Sequence, residues 1–181
     1  MNARIERDIM QGCYTLGLHC STCMPVFVLD DFRSAFNVGS AFRTAEAIAP
    51  CAVFPCGVSA RPFHRRLAHT ARGTQDLVPW RYFPRALDAV SWLRATGRRI
   101  VVVESPGGPD CATIWEARFA NGDAFVFGNE AEGVAPEVFE AADLSLRFPQ
   151  SGVRSCINVA SMIAMVAAEL RRRRLVGSLR Q

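Results

Sequence analysis

Ile100-Val101-Val102-Val103 is an uninterrupted β-branched run. Such a run suits a strand buried on both faces, the normal state of a strand inside a parallel sheet. Short apolar runs recur on either side of it, at 26–29, 52–55, 124–127 and 144–148, and a further strand is expected over 77–83. Helical segments lie between them. Asn37 reads as the N-cap of a helix to about Ala49, with Phe42, Ala45 and Ala49 on one face. Pro84 opens a helix to about Thr96 that packs through Leu87, Val90 and Leu93. A short helix is expected from Pro136. A long apolar one is expected from near Ser155 to the arginine run 171–174, whose charge suits a helix C-terminus. This alternation predicts an α/β fold, a mostly parallel sheet with helices on both faces. Ligands in such sheets bind beyond the carboxyl ends of the strands, which points to the loops after Val103, Phe127 and Phe148.

Composition fits this architecture. The chain has 181 residues, 50% hydrophobic and 21% charged, enough apolar material for one domain with a buried core and too much for a disordered chain. Residues 1–24 read as a short N-terminal extension and 25–181 as the domain. All 21 basic residues are Arg, and net charge is +4. Genome composition explains the missing Lys as readily as selection does. An Arg fork, though, grips phosphate bidentately. Seven cysteines, an odd number, argue against a complete disulfide framework and for a reducing, cytoplasmic setting. Cys20 and Cys23 form a C-x-x-C without a second pair at zinc-finger spacing, so no metal is expected. The uncharged stretch 9–29 contains Gln11, His19 and Pro25, too polar for a membrane span.

Three segments place polar groups at element ends or inside apolar runs. The first is Asn37-Val38-Gly39-Ser40-Ala41-Phe42-Arg43-Thr44-Ala45. The second is Phe127-Gly128-Asn129-Glu130-Ala131-Glu132-Gly133. The third runs from Phe148-Pro149 through Gly152 and Arg154 to Ser155-Cys156-Ile157-Asn158-Val159-Ala160. Each has a plain structural reading: Asn37 as an N-cap, Arg43 as a solvated helix charge, Glu130 as a cap for the next turn, Asn158 as a buried amide satisfied by helix packing. No G-x-G-x-x-G or G-x-x-x-x-G-K-[ST] occurs, which weakens a nucleotide-dependent oxidoreductase as the alternative.

Together, in this order and spacing, the three segments resemble the SPOUT class of methyltransferases, specifically the TrmH/SpoU family. The likeness covers about 25–175, including Thr70-Ala71-Arg72-Gly73-Thr74 and Val78-Pro79-Trp80. It implies a deep trefoil knot in the C-terminal half, a rare exception to unknotted topology. It also implies S-adenosylmethionine (SAM) as cofactor, RNA as substrate, a homodimer that completes the RNA site, and ribose 2′-O-methylation. By position in the motifs, Asn37, Arg43, Glu130 and Asn158 match the family's catalytic set. Val103, Glu104, Gly128, Phe148 and Cys156 match positions that line the SAM pocket. The family commonly has Ser where Cys156 stands.

Within that resemblance, Gly128 would let backbone approach the cofactor, while Val103 and Phe148 enclose adenine. Glu130 is expected to orient Asn37 or Arg43. The family's motif-one Arg is often discussed as a general base. A guanidinium holds its proton in water, so phosphate anchoring and stabilisation of a developing alkoxide suit Arg43 better. Arg61, Arg65, Arg66 and Arg72, near Phe63 and His64, read either as a solvated surface or as an RNA face. The arginine run 171–174 reads as an exposed helix end or a dimer edge. Both tRNA and rRNA stay open as substrates. A relative that binds RNA without catalysis is the competing reading, and retention of the four motif residues argues against it.

Overall fold

The computed structural model of the chain describes residues 24–48, 52–104, 111–153 and 157–179. Six strands form its sheet: β1 (Val26–Leu29), β2 (Ala52–Pro55), β3 (Ile100–Glu104), β4 (Ala112–Thr113), β5 (Ala124–Phe127) and β6 (Leu144–Arg147). They lie in the order β2-β1-β5-β3-β6-β4, and every pairing is parallel. The late strands β5 and β6 therefore enter between strands laid down earlier in the chain.

Side chains alternate across the strands with period two, and the two faces carry separate cores. Phe27, Leu29, Val101, Val103, Phe125 and Phe127 point to one face. There they meet α1 (Ala35–Ile48), α2 (Arg65–Ala71) and α5 (Val159–Leu179) through residues such as Phe42, Leu67 and Ile163. Phe27 packs edge-on against Phe127, ring centres 5.7 Å apart. The opposite set, Val26, Val28, Ile100, Val102, Ala124 and Val126, meets α3 (Ala86–Ala95) and α4 (Pro136–Glu140). Each fully buried Phe, Val or Leu contributes about 1.5–3 kcal/mol of apolar burial, so two apolar faces per strand hold the middle of the sheet firmly.

Several expectations are corrected. Ser34, not Asn37, caps α1: its Oγ accepts from the Asn37 N–H at 3.3 Å, and Asn37 sits inside the first turn. The segment 77–83 runs beside β2 but makes only isolated bridges, Val53 to Trp80 and Cys56 to Phe83. Pro79 within it and Pro84 just after it lack N–H donors. The long helix begins at Val159 and continues to Leu179, so the arginine run 171–174 lies within it rather than at its end. Asn158 is its N-cap, with Oδ1 accepting from the Ala160 N–H at 2.8 Å. The exposed Asn158 is thus not a buried amide. The two-residue strand β4 carries no periodicity by which to foresee it. Residues 1–23 of the N-terminal extension, Ala49, the 106–109 loop and Ser155 lie outside the described residues.

Gly39 shows why the first motif needs a glycine. A Cβ there would stand 2.8 Å from the Leu67 carbonyl oxygen and 2.8 Å from the Thr70 Cβ, so α1 and α2 can pack this closely only without a side chain.

Candidate functional site

At the carboxyl ends of β3 and β5 lies an open cleft of about 580 Å³. Its apolar lining includes Val103, Phe127, Ile157 and Met162; its polar lining includes Asn129 and Asn158, and three carboxylates, Glu104, Glu130 and Glu132, face it. The volume lies within the range of small-molecule sites, about 300–1,000 Å³. The acidic lining favours a cationic ligand.

The loop 129–135 that frames the cleft is held by side chains that bind its backbone. Asn129 Oδ1 accepts from the Ala131 and Glu132 N–H groups at 2.9 and 2.8 Å. Glu104 Oε1 accepts from Val134 N–H at 3.1 Å, and Asp30 Oδ2 from Ala135 N–H at 3.1 Å. Burial pushes the Asp30 carboxyl above the usual Asp range, opposed by that Ala135 hydrogen bond. Gly128 belongs to the same device. A Cβ at 128 would fall 1.9 Å from the Gly133 carbonyl carbon and 2.1 Å from the Val134 nitrogen. The 129–133 turn, folding back on the strand end, thus by itself requires glycine at 128, which also lines the cleft.

Three motif residues meet across large sequence separations. Asn37 Nδ2 donates to Glu130 Oε1 at 2.6 Å, and Asn158 Nδ2 donates to Asn37 Oδ1 at 3.4 Å. Glu130 Oε2 accepts from the Arg33 backbone N–H at 3.3 Å, and the Arg33 guanidinium pairs with Glu132 at 2.5 Å. The network ties the start of α1, the 129–135 loop and the start of α5 together at the cleft. Glu130 thus orients Asn37, while its other oxygen takes backbone rather than Arg43.

Arg43 is elsewhere. Six residues beyond Asn37, it lies about 240° round the helix and ~9 Å along it. It lines a second groove of about 580 Å³ with Ser40, Thr44, Ile48, Arg72 and Thr74, and with Ala164 of α5. Arg61, Arg65 and Arg66 are also exposed, beyond the end of β2. Phe148 is buried in the core, edge-on to Trp115 at 6.3 Å, and is not among the residues that line the cleft. Cys156 lies outside the described residues.

Sequence reasoning missed Asp30, Arg33, Asn129 and Glu132. Asn129 and Glu132 stand inside the second motif segment without a role assigned to them, and Asp30 and Arg33 lie outside all three segments. Among the described residues no cluster of His, Cys, Asp and Glu converges as a metal site, and no helix is long and apolar enough to cross a membrane.

Comparison with known proteins agrees with this geometry. The family model of the SpoU rRNA Methylase family matches residues 24–168. A curated relative from Bacillus subtilis (strain 168), the 23S rRNA (guanosine(2553)-2'-O)-methyltransferase RlmP, is 28% identical over 91% of this chain and 65% of its own length. The SpoU methyltransferase AviRb from Streptomyces viridochromogenes, solved in complex with the cofactor AdoMet, superposes with a TM-score of 0.75 at 21% identity, over 84% of this chain and 58% of that one. A structure described as giving insights into the 2-OH methylation of C/U34 on tRNA superposes with a TM-score of 0.72 at 25% identity, over 87% of this chain and 99% of that one. The chain spans 53 to 65% of the length of the first curated relatives it matches.

Proposed function

This chain belongs to the SpoU rRNA Methylase family, and from that premise we propose that it transfers a methyl group from SAM to a ribose 2′-hydroxyl of RNA. One observation carries the reading. An acid-lined cleft at the carboxyl end of a parallel sheet is bordered by the hydrogen-bonded set Asn37, Glu130 and Asn158.

The cleft suits SAM. Val103, Phe127 and Met162 offer apolar surface to adenine, and Glu104, Glu130 and Glu132 favour a cation. Gly128 and Cys156 are the remaining residues assigned to holding it. When bound, it supplies an electrophilic methyl group whose sulfonium charge disappears on transfer. The protein's own task is to align the hydroxyl and raise its nucleophilicity. Glu130 fixes the Asn37 amide, and Asn158 holds its other end, so the polar wall is set before RNA arrives. Arg43 anchors an RNA phosphate and stabilises negative charge developing on the ribose oxygen; a phosphate oxygen or water takes the proton.

Because Arg43 faces a different groove from Asn37, the working site takes Arg43 from a second copy of the chain. Exposed Phe36 on α1 and Leu175 on α5 support a homodimer through these helices. The strand order, with β5 and β6 entering late, supports a C-terminal trefoil knot. The substrate is tRNA or rRNA, in the cytoplasm. The experiment is nucleoside mass spectrometry after incubating the protein with SAM and bulk RNA. A new 2′-O-methylated nucleoside is expected. Base methylation alone, or binding of RNA without methyl transfer, overturns the reading.

A further inference from the structure

Phe63 is 76% exposed, unusual for a large ring in a segment otherwise tied down. Backbone bonds hold its loop at Cys56 to Leu29, Gly57 to Phe83, Ser59 to Cys56 and His64 to Arg61. The side chain of Asp31 accepts from Val58 N–H at 2.8 Å, Ser59 bridges Phe32 N–H and the Leu29 carbonyl, and the Tyr82 hydroxyl donates to the Gly57 carbonyl. A ring on a loop so tied presents an apolar face to solvent. The Arg61 guanidinium lies over the Tyr82 ring at 4.4 Å and 5.7 Å from the Phe63 ring centre. Exposed Arg65 and Arg66 follow directly.

We propose that Phe63 and the Arg61 plane form a stacking platform for an unpaired RNA base, with Arg65 and Arg66 on the flanking phosphates. The inference rests on the RNA-methylation reading and adds a single-stranded requirement to it. Charge decides the occupant. One guanidinium at the ring and two more exposed arginines at the start of the next helix match a base with its phosphates, whereas an apolar protein partner would have to desolvate them. Position agrees: the platform follows β2, two strands from β5, at the same end of the sheet as the cleft. An unpaired nucleotide held there leaves its neighbours free to splay toward Asn37, as sequence-specific RNA sites do.

The test is anisotropy of labelled oligouridine with the full chain and with F63A, F63L and F63W. Stacking contributes enough for F63A to weaken binding about tenfold. F63L should stay weak, because it keeps apolar bulk and loses the π-face. F63W should bind at least as well as wild type. An abasic oligonucleotide of equal length should bind wild type and F63A alike. Calorimetric SAM affinity should be unchanged in all variants, since Phe63 lies outside the cleft. Equal oligouridine binding by wild type and F63A, or full rescue by F63L, overturns the platform. A change in sedimentation with F63A would assign the ring to contact with a second copy and also overturn it. Failure of methyl transfer with intact, Phe63-dependent base binding would instead count against the enzyme reading alone.

Discussion

Two groups of arginines divide this molecule. At the amino end of the sheet they hold the protein itself. Arg99 pairs with the almost fully buried Asp123 at 2.6 Å and donates to the Arg118 carbonyl at 2.6 Å. Arg98 donates to the Met24 and Gly122 carbonyls. Arg94 reaches Asp143 at 2.6 Å, and Asp143 in turn accepts from Ile100 N–H. Around α1 and α2 the picture reverses. Among the described residues, the side chains of Arg43, Arg65, Arg66 and Arg72 make no hydrogen bond or ion pair, and all four are exposed. The donors of the first group are taken up by the protein's own carboxylates and carbonyls, so these arginines serve the fold and have little left for a ligand. The second group leaves its donors open, as the proposed contact with RNA phosphates requires. Net charge, an undivided +4, hides this partition.

The largest expected effect from the first group, whose donors are engaged within the fold, is on stability. Arg99→Ala leaves Asp123 buried without its cation, a loss of about 3 kcal/mol. Thermal melting should show it, while methyl transfer per folded molecule stays unchanged. If Arg99→Ala melts like wild type, the first half of the comparison fails.

Arg173 also spends its donors within the fold, despite lying in the basic run. It donates to the Ile114, Trp115 and Ala117 carbonyls, stacks over Phe119 and pairs with Glu169. Hydrogen bonds from Arg172 and Arg173 lower the Glu169 carboxyl to about 2 from its usual 4.5. A depressed acid contributes stability above its unfolded pKa. That contribution is therefore full at neutral pH and lost as pH falls from about 4.5 to about 2. Glu169→Gln should lower stability at pH 7 and flatten the acid limb of a pH–stability curve followed by circular dichroism. An acid limb identical to wild type would show that the pairing does not hold α5.

Smallest are the effects of single exposed arginines. Arg65→Ala or Arg66→Ala should each reduce the slope of log K against log salt for RNA by about 0.7–1, with no change in melting. Unaltered salt slopes would return this surface to the solvated reading.

The middle of the fold was legible in the sequence for a physical reason. Strands such as 100–103 are buried on both faces, so nearly every residue is apolar. The ends of elements were read less well, because short polar side chains compete for backbone there. Ser34 and Asn37 are both good caps three residues apart, and only packing decides between them. Asn158 looked interior because cysteine and isoleucine precede it, yet its amide caps α5. Glu130 and Asn37 were recognised by motif, but their direct bond spans 93 residues and leaves no periodic trace. Gly128 was flagged for close backbone approach, but its contact with Gly133 and Val134 was not foreseen, since a turn folding back on its own strand leaves no periodic trace.

Arg43 decides the account, because it is the free arginine assigned to the reaction. Single-turnover methyl transfer at saturating SAM and RNA should fall about 10²-fold or more in Arg43→Ala, with melting temperature and SAM affinity kept. Arg43→Lys should stay inactive if the planar fork is needed and recover if charge suffices. An Arg43→Ala rate within a few-fold of wild type contradicts the claim that the open arginine face acts in catalysis.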